Sequence, residues 1–407
     1  MRKIEPQKFI QEKFAEYYQH NSDSIEAPSP IERREFAFLL LKEKMMMRHK
    51  SFKSVDDLRN TMKNVVPSHV YYSTAYYERP EEEMDAKGWL GADLFFDIDA
   101  DHIPTPCNKQ HDTWSCNKCG QTGRGTSPET CPKCGGQKFD DKSWSCEICL
   151  ESAKEETIKL IDALTRDFGF SPQDINVAFS GHRGYHVSIE THVVQKLDQA
   201  ARNEIVDYMV GIGLEPRLLG LEMGRGPSLE DAGWRGRIAR GTYDFLLNVT
   251  AKQLDEIALK KSMVNRLINQ RERILESWKS GGPWKIKGIA PESWKKIVQK
   301  AIENQAVKID TVVTTDIHRL IRLTNTLHGK TGLKKVYVPI NDVERFDPLK
   351  SALAFKGGAV KLFVSEAPDF RLGDQRYGPY QNKEVELPTA AALFLLCKGA
   401  AQVKEDN

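Results

Sequence analysis

The alternation of hydrophobic and polar positions predicts both helices and strands in the first half of the chain. Aromatic residues recur at helical spacing across 5–20, and apolar residues do the same across 31–48. The segment 65–77 is rich in β-branched and aromatic side chains, and 89–98 is a largely apolar run that ends at acidic residues, so both predict strands. An amphipathic helix is predicted over 151–168.

The second half of the chain repeats this mixture around a long helical block. The predicted elements are strands at 175–180, 185–189, 309–315, 334–340 and 359–364, helices at 316–322 and 389–399, and a mostly helical stretch at 197–304. Because strands lie on both sides of that stretch, the simplest interpretation is one α/β (α+β) domain with an insertion. We therefore expect a discontinuous domain of residues 1–196 and 305–407, and an inserted helical subdomain of residues 197–304.

The composition is typical of a soluble protein. Of the 407 residues, 40% are hydrophobic and 29% are charged. No apolar run approaches the roughly 20 residues that span a bilayer, so no membrane association is expected. The charged N-terminus lacks a signal-peptide pattern, and we expect a cytoplasmic protein.

Charge is unevenly distributed along the chain. Eight acidic residues and one lysine lie within 81–101, whereas twelve basic and five acidic residues lie within 252–300. This distribution suits an enzyme that binds metal ions and a polyanion, and two solvated faces are the alternative. The tryptophans of the basic region, Trp278, Trp284 and Trp294, could stack on the bases of a template, but packing of the inserted subdomain is favoured.

A pair of aspartates ends the apolar segment 89–98. Asp97 and Asp99 occupy alternate positions in DLFFDIDAD, so a strand directs both carboxylates to one face, where they repel each other unless a cation neutralises them. Hard oxygen ligands favour Mg²⁺ or Mn²⁺, and two such ions can activate a hydroxyl and stabilise a leaving pyrophosphate. The alternative is a strand that ends in a polar loop, with Asp93 and Asp101 as surface charges.

A second motif suits the binding of phosphate. The sequence FSGHRGYHV places four polar side chains around a turn with two glycines, where the backbone can approach a ligand closely. These side chains are Ser180, His182, Arg183 and His186. A hairpin turn with incidental polar residues is the alternative.

A third motif lies in the distal segment IDTVVTTDIHRLIRLTNTLHGKTGL. Asp310 ends a predicted strand, and Arg319 and Arg322 would be one turn apart if 316–322 is a helix. His328 follows in a turn that contains glycine. The segment therefore adds one carboxylate and several cationic groups to the candidate chemistry.

Seven of the eight cysteines lie between residues 107 and 149, which in a large chain favours metal binding over disulfides. Two CxxCG knuckles predict a four-cysteine zinc ribbon within 116–134, with ligands Cys116, Cys119, Cys131 and Cys134. A second zinc site could be completed around this ribbon by Cys107, His111, Cys146 and Cys149. The alternative is sequential, with 107, 111, 116 and 119 in one site, but the tight knuckles favour the nested arrangement. We expect two structural zinc ions within 104–149.

In their order and spacing, these motifs resemble the small subunit of archaeal and eukaryotic DNA primases. The shared order is an Asp-x-Asp pair after an apolar strand, a zinc knuckle, SGxRGxH, and Asp-x11-Arg-x5-His. The segment RREFAF…MRHKSF, from Arg33 to Phe52, is also similar to the N-terminal pattern of that family. The resemblance covers nearly the whole chain, and the extra ribbon at 116–134 is its main departure.

The resemblance implies a mixed-sheet catalytic domain whose active site lies in a cleft between sheets. It implies that Asp97, Asp99 and Asp310 are the catalytic ligands of Mg²⁺ or Mn²⁺. It implies a nucleotide-binding set of Ser180, Arg183, His186, Arg322 and His328, with His182 at the variable position of the motif. It also implies synthesis of short primers from nucleoside triphosphates on single-stranded DNA, with the primase large subunit as partner. It further implies a cytoplasmic protein of the archaeal type that is associated with the nucleoid during replication.

Two alternatives to a primase stay open at this point. One is a repair or extension polymerase of the same superfamily. The other is a zinc-ribbon subunit that binds nucleic acid and has inert carboxylates. Asp310, with Arg322 and His328 at the family's spacing, favours an enzyme, because a protein that only binds nucleic acid has no need for this combination.

Overall fold

Residues 5–41 and 45–404 are described in the computed structural model of the chain. Its strands are β1 Phe36–Leu40, β2 Met46–Lys50, β3 Pro67–Ser73, β4 Ala75–Tyr77, β5 Trp89–Ala92, β6 Leu94–Asp99, β7 Thr113–Cys116, β8 Thr122–Arg124, β9 Phe139–Lys142, β10 Ile175–Phe179, β11 Gly184–Ile189, β12 Leu320–Arg322, β13 Val336–Val338, β14 Ala359–Ala367, β15 Phe370–Leu372, β16 Gln375–Tyr377, β17 Tyr380–Pro388 and β18 Ala401–Val403. Its helices are α1 Pro6–Asn21, α2 Val55–Val65, α3 Asn108–His111, α4 Glu147–Arg166, α5 His192–Gln195, α6 Gln199–Val210, α7 Gly233–Asn248, α8 Ala251–Glu256, α9 Lys261–Asn269, α10 Arg271–Glu276, α11 Pro291–Gln305, α12 Thr311–Thr315, α13 Pro348–Ser351 and α14 Thr389–Cys397.

The helix predicted over 31–48 is wrong: apart from one 3-10 turn at Ile31–Arg33, the regular structure described there consists of strands. β1 and β2 pair in antiparallel register, with Phe36 opposite Lys50, and residues 42–44 between them lie outside the described residues. Phe36, Ala37 and Phe38 are all fully buried, so both faces of β1 are covered. Consecutive apolar residues of this kind have no informative period, and helix and strand cannot be told apart from them.

The elements predicted on either side of residue 316 are reversed. Residues 309–315, predicted as a strand, contain helix α12, and 316–322, predicted as a helix, contains strand β12. The Asp310 side chain starts α12, because its Oδ1 accepts hydrogen bonds from the backbone N–H groups of Val312 and Val313. β12 forms because it finds an antiparallel partner in β3, so tertiary pairing overrides the local pattern.

Two four-stranded sheets carry the elements around the acidic pair. The strand order is β12-β3-β1-β2 in the first sheet and β13-β10-β11-β6 in the second. Neighbouring strands are antiparallel throughout both sheets. Helices and strands are thus mixed in the domain, as predicted, whereas the two sheets themselves are antiparallel rather than mixed.

The strand predicted at 89–98 is divided into β5 and β6 by Asp93. This residue is 2% exposed, so the interpretation of Asp93 as a surface charge is wrong. Its carboxylate lies 2.7 Å from Nη2 of buried Arg34 and accepts a hydrogen bond of 2.7 Å from the Tyr76 hydroxyl. Arg202 also donates to the carbonyl oxygens of Ala92 and Asp93. These partners hold the chain where it turns into β6.

The chain divides into two units. One comprises the described residues of Met1–Ile158, Pro172–Arg202 and Ile309–Asn407, and the other comprises Lys159–Ser171 and Asn203–Lys308. The expected insertion, 197–304, shares 203–304 with the second unit, which also includes 159–171. No helix in the described part of the chain is both long and apolar enough to cross a membrane.

The second unit has a hydrophobic core of its own. Trp278, Trp284 and Trp294 belong to this core, with exposures of 7%, 5% and 0%. Their rings meet edge to face, with centroids 5.3 Å and 5.4 Å apart along the series. Of the two roles considered for these tryptophans, the structure supports packing of the subdomain, because buried rings are not available to stack on bases.

Candidate active site

Strand β6 presents the acidic pair on one face. Asp97 and Asp99 alternate with buried Phe96 and Ile98, and Phe95 lies on the same face as the carboxylates. Asp97 is directly opposite His186 in the pairing of β6 with β11, and the His186 Nε2 lies 3.7 Å from the Asp97 Oδ1. The pairing therefore brings the SGHRGYH motif beside the two aspartates.

The turn before β11 needs glycine for steric reasons. Gly184 is opposite Asp99, and a Cβ atom at this position would lie 2.1 Å from the carbonyl oxygen of Ile98. Gly181 has a φ of +85°, in the left-handed region that side chains rarely adopt. Gly184 thus lets β11 pack closely on β6, and Gly181 lets the turn approach His328 and the backbone of Lys334. Ser180 and His182 are brought to the same place.

One cavity of about 140 Å³ gathers most of the predicted site residues. It lies between the edge strand β12 of the first sheet and strands β6 and β11 of the second. It is lined by Phe95, Asp97, Asp99, Ser180, His182, His186, Arg319, Leu320, Ile321, Arg322 and His328. Carboxylates on one wall thus face cationic and imidazole side chains on the others.

Asp310 adjoins this cavity from the far end of the sequence. Its backbone N–H donates to the carbonyl oxygen of Asp97 at 2.9 Å, and its Oδ2 lies 3.7 Å from Nε2 of His102. Among the described residues, groups of three or more potential metal ligands whose atoms lie within 4.8 Å of one another occur only in 107–149. The three aspartates do not form such a group, so their carboxylates are more widely spaced. Mutual repulsion of carboxylates without a cation favours such spacing.

Burial and mutual repulsion shape the protonation of the acidic wall. Burial raises the pKa of Asp97 to about 7, and the charges of Asp99 and Asp310 act in the same direction. Burial also raises the pKa of Asp99, and the Arg183 guanidinium opposes this shift. The carboxylates therefore lie in an environment that favours a neutralising partner.

The opposite wall combines a cation with neutral imidazoles. Burial lowers the pKa of His182, His186 and His328 well below its usual value, so these rings are neutral at neutral pH. The ring of His182 stacks on that of His328, with centroids 5.0 Å apart. Arg322 donates from Nη1 to the carbonyl oxygen of Ser180 at 3.0 Å, and its buried Nε has no hydrogen-bond partner among the described residues. Polar groups remain here for a further ligand.

Arg183 is placed differently from the expectation of a nucleotide ligand. Its side chain is 2% exposed, it does not line the cavity, and its charge is paired with Asp112 at 2.8 Å and with Asp101. Asp101 is therefore an ion-pair partner rather than a plain surface charge. Sequence patterns give no sign of the pairing with Asp112, because the two residues are 71 positions apart.

Seven of the eight cysteines form two groups with His111, in the nested arrangement. The outer group is Cys107, His111, Cys146 and Cys149, and the inner group is Cys116, Cys119, Cys131 and Cys134. Within each group the potential ligand atoms lie within 4.8 Å of one another, and all the cysteines are free thiols. Sulfur pairs are 3.3 Å, 3.6 Å and 3.7 Å apart, near the roughly 3.8 Å edge of a tetrahedron with Zn–S bonds of about 2.3 Å. Both donor sets fit zinc.

Comparison with known proteins gives a family that agrees with this geometry. The family model described as DNA primase small subunit matches residues 136–342. The chain belongs to the DNA primase small-subunit family. It is 36% identical to DNA primase small subunit PriS of Archaeoglobus fulgidus over 405 residues, which cover 97% of each chain. It is 34% identical to the protein of the same name from Methanothrix thermoacetophila and 31% identical to that from Nitrosopumilus maritimus, with 97% of this chain and 98% of each relative covered.

Several residues near this primase-family site were not among the predicted site residues. Arg319 lines the cavity, and Lys335 is buried behind it and donates to the carbonyl oxygen of Arg322 at 2.6 Å. Lys398, close to the end of the chain, lies 3.0 Å from Nε2 of His182. Nothing in the sequence marks a cationic residue as buried, so only the fold identifies these neighbours.

Proposed function

We propose that this chain is the catalytic subunit of a DNA primase and makes short RNA primers on single-stranded DNA from nucleoside triphosphates. The observation that carries the proposal is the cavity in which β6 carboxylates face cationic and imidazole side chains. Joining nucleotides requires this combination, because carboxylates hold divalent cations and positive groups stabilise charge on the phosphates. Membership of the primase small-subunit family supports the same activity.

The acidic wall suits Mg²⁺ or Mn²⁺. Asp97, Asp99 and Asp310 offer the hard oxygen ligands that these cations prefer, and their mutual repulsion would be relieved by a bound cation. Two such ions bound there would lower the pKa of the primer 3′-hydroxyl and stabilise the leaving pyrophosphate. The role of the aspartates is to hold and space these ions.

The opposite wall suits the triphosphate of the incoming nucleotide. We assign this role to Ser180, His182, His186, Arg322 and His328, which all line the cavity. Arg322 supplies positive charge, and the neutral imidazoles and the hydroxyl supply hydrogen-bond donors. These groups orient the α-phosphate toward the hydroxyl, so catalysis rests mainly on positioning and electrostatics.

Other components follow from the same proposal. The two cysteine-rich groups would each hold a structural zinc ion, because all four positions are filled by the protein. A small subunit implies a large-subunit partner, and the substrates imply contact with a single-stranded template. Since its relatives are archaeal, we keep the expectation of a cytoplasmic protein associated with the nucleoid.

The decisive test replaces Asp97 and Asp99 together by asparagine in the full-length chain. Incorporation of labelled ribonucleotides on an unprimed single-stranded template should fall about a thousandfold or more, because loss of the cations removes several kcal/mol of transition-state stabilisation. Asp316→Asn is the matched control, since this carboxylate caps the N–H of His318 and does not line the cavity. It should retain synthesis.

The same assay separates the alternatives. Undiminished incorporation by the double variant would show that the acidic wall is not catalytic. If the unaltered chain extends primed templates with deoxynucleotides but starts no chain on an unprimed one, it is a repair or extension polymerase. If it binds the template without incorporating any nucleotide, it is a non-catalytic zinc-ribbon subunit.

A further inference from the structure

Arg183 lies between the outer cysteine–histidine group and the acidic strand. On one side, its Nη1 donates to the Asp112 Oδ2 at 2.8 Å and to the carbonyl oxygen of Trp144 at 3.2 Å. On the other side, its Nε lies 3.7 Å from the Asp99 Oδ1 and makes no hydrogen bond within the described parts of the chain, 5–41 and 45–404. The side chain is nearly inaccessible to water. These contacts and the pair with Asp101 therefore determine which carboxylate its charge neutralises.

Asp112 is held firmly by the segment that carries the outer group. Its Oδ1 accepts a hydrogen bond of 2.9 Å from the backbone N–H of Trp144 and lies 2.7 Å from the His111 Nδ1. The other ring nitrogen of His111 faces the group, 3.4 Å from the sulfur of Cys149. A carboxylate on the second nitrogen of a ligating histidine commonly fixes the ring. Here its second oxygen, Oδ2, is directed at Arg183.

Asp112 and Asp99 thus compete for one buried guanidinium, which also pairs with the more exposed Asp101. The pairing with Asp112 is the closer one, and it includes a hydrogen bond. Without the charge of Asp112, the attraction of Asp99 would draw Arg183 toward β6, where it would neutralise a carboxylate that a divalent cation needs. The ion pair in the cysteine-rich segment therefore affects the charge available in the cavity.

We propose that Asp112 is a positioning residue of the catalytic centre. By holding Arg183, it leaves the Asp99 carboxylate free to bind the divalent cation. The proposal rests on the proposed function, because it takes Asp99 as a ligand of that cation. It also gives Arg183 a role different from that of a direct phosphate ligand.

Asp112→Asn is a selective test. The amide oxygen can still accept from Trp144 and face His111, while the amide NH₂ replaces the oxygen that faces Arg183. The outer group should therefore keep its zinc. Asp140→Asn is the matched control, because it makes the same change of charge on an exposed residue of the same segment. Binding of Mn²⁺ to the full-length chain, without nucleotide, is measured from the electron paramagnetic resonance signal of free Mn²⁺, and zinc content by elemental analysis.

We expect Asp112→Asn to weaken Mn²⁺ binding about tenfold or more, because a guanidinium drawn to Asp99 repels a second cation on the same carboxylate. The Asp140→Asn chain should bind Mn²⁺ like the unaltered chain. Adding Arg183→Gln to Asp112→Asn should restore most of the affinity, because the competing cation is gone. A purely structural role of Asp112 predicts the reverse, since removing a second buried group would weaken the fold further.

Three results would overturn the inference. The first is an unchanged Mn²⁺ affinity in Asp112→Asn, and the second is no recovery of affinity in the double variant. The third is a tenfold weaker affinity in Arg183→Gln alone. This third measurement still tests the inference if Asp112→Asn does not fold. Asp99→Asn separates this failure from that of the proposed function. If Asp99→Asn abolishes Mn²⁺ binding and Asp112→Asn leaves it unchanged, only the inference about Asp112 fails. If Asp99→Asn has no effect on Mn²⁺ binding, the proposed metal site fails as well.

Discussion

At the scale of single residues, the site depends on groups buried beside charges of the same sign. Lys335 is 3% exposed and lies behind Arg322, whose carbonyl oxygen accepts its hydrogen bond. Burial and the charge of Arg322 lower the pKa of Lys335 to about 7. Such a lysine destabilises the folded chain when it is charged. It lies next to a cavity that is proposed to bind polyanions.

Replacing Lys335 by methionine tests this interpretation. The usual lysine pKa is near 10.5, so between about pH 7 and pH 10 the unfolded chain binds more protons at this residue than the folded chain does. The free energy of unfolding therefore rises with pH in the unaltered chain, and Lys335→Met removes that rise. At pH 7 the free energy of unfolding of Lys335→Met should exceed that of the unaltered chain. This difference, measured by urea unfolding, should shrink by about 1–2 kcal/mol between pH 7 and pH 9.

Lys53→Met, at an exposed lysine, is the control for that measurement. Its free energy of unfolding should differ from that of the unaltered chain by a constant amount across the same pH range. An equally constant difference for Lys335→Met would contradict the burial of a titrating amine at this position.

At the scale of elements, the cysteine-rich segment combines little regular structure with two donor groups. Its strands β7, β8 and β9 are three or four residues long, and each group is contributed by two separate pieces of chain. Short strands bury little apolar surface, so the proposed zinc ions would supply much of the free energy that orders this segment. Asp112 and Arg183 then connect the outer group to β6.

Zinc content distinguishes the nested from the sequential arrangement. In the nested arrangement Cys116 and Cys131 belong to the same group, whereas in the sequential one they belong to different sites. The double variant Cys116→Ser, Cys131→Ser should therefore retain one zinc ion per chain, measured by elemental analysis of the folded fraction. Loss of both ions, together with an unaltered chain that holds two, would favour the sequential arrangement.

At the scale of the whole molecule, each unit contains the residues that it needs for its own role. The cavity and both cysteine-rich groups are built from the first unit, while the three tryptophans and their neighbours form the core of the second. Because the tryptophans are used for packing, the basic residues of 252–300 could contact a template only through their charge. Binding there would be electrostatic and sensitive to salt.

Trp294→Ala tests the packing role of these tryptophans. Trp294 is fully buried, and truncation of a buried tryptophan typically costs about 3–5 kcal/mol. We expect faster hydrogen exchange in peptides of 203–308, measured by mass spectrometry, with much less change in β6 and β11. Trp294→Phe should show a smaller effect because it leaves less empty space. Unchanged exchange in Trp294→Ala would contradict the core assignment.

Much of the organisation was predictable from the sequence, but not all of it. The helix at 5–20, the strands at 65–77 and 175–189, and the mixed fold class are confirmed. The predictions over 31–48 and 309–322 were wrong, because short apolar segments take the structure that their neighbours allow. β12 is the clearest case, since only its pairing with β3 makes it a strand and turns Arg322 toward the cavity.

By itself, the sequence determined the chemistry available to this protein: which carboxylates alternate on a strand, which cysteines form knuckles, and which family the motifs resemble. These are local properties, and spacing along the chain is enough to define them. The tertiary structure decided which charges meet. Asp310 reaches Asp97, and Arg183 turns to Asp112 rather than to the cavity, through contacts between residues far apart in sequence. Such contacts depend on packing and burial, which no local pattern encodes.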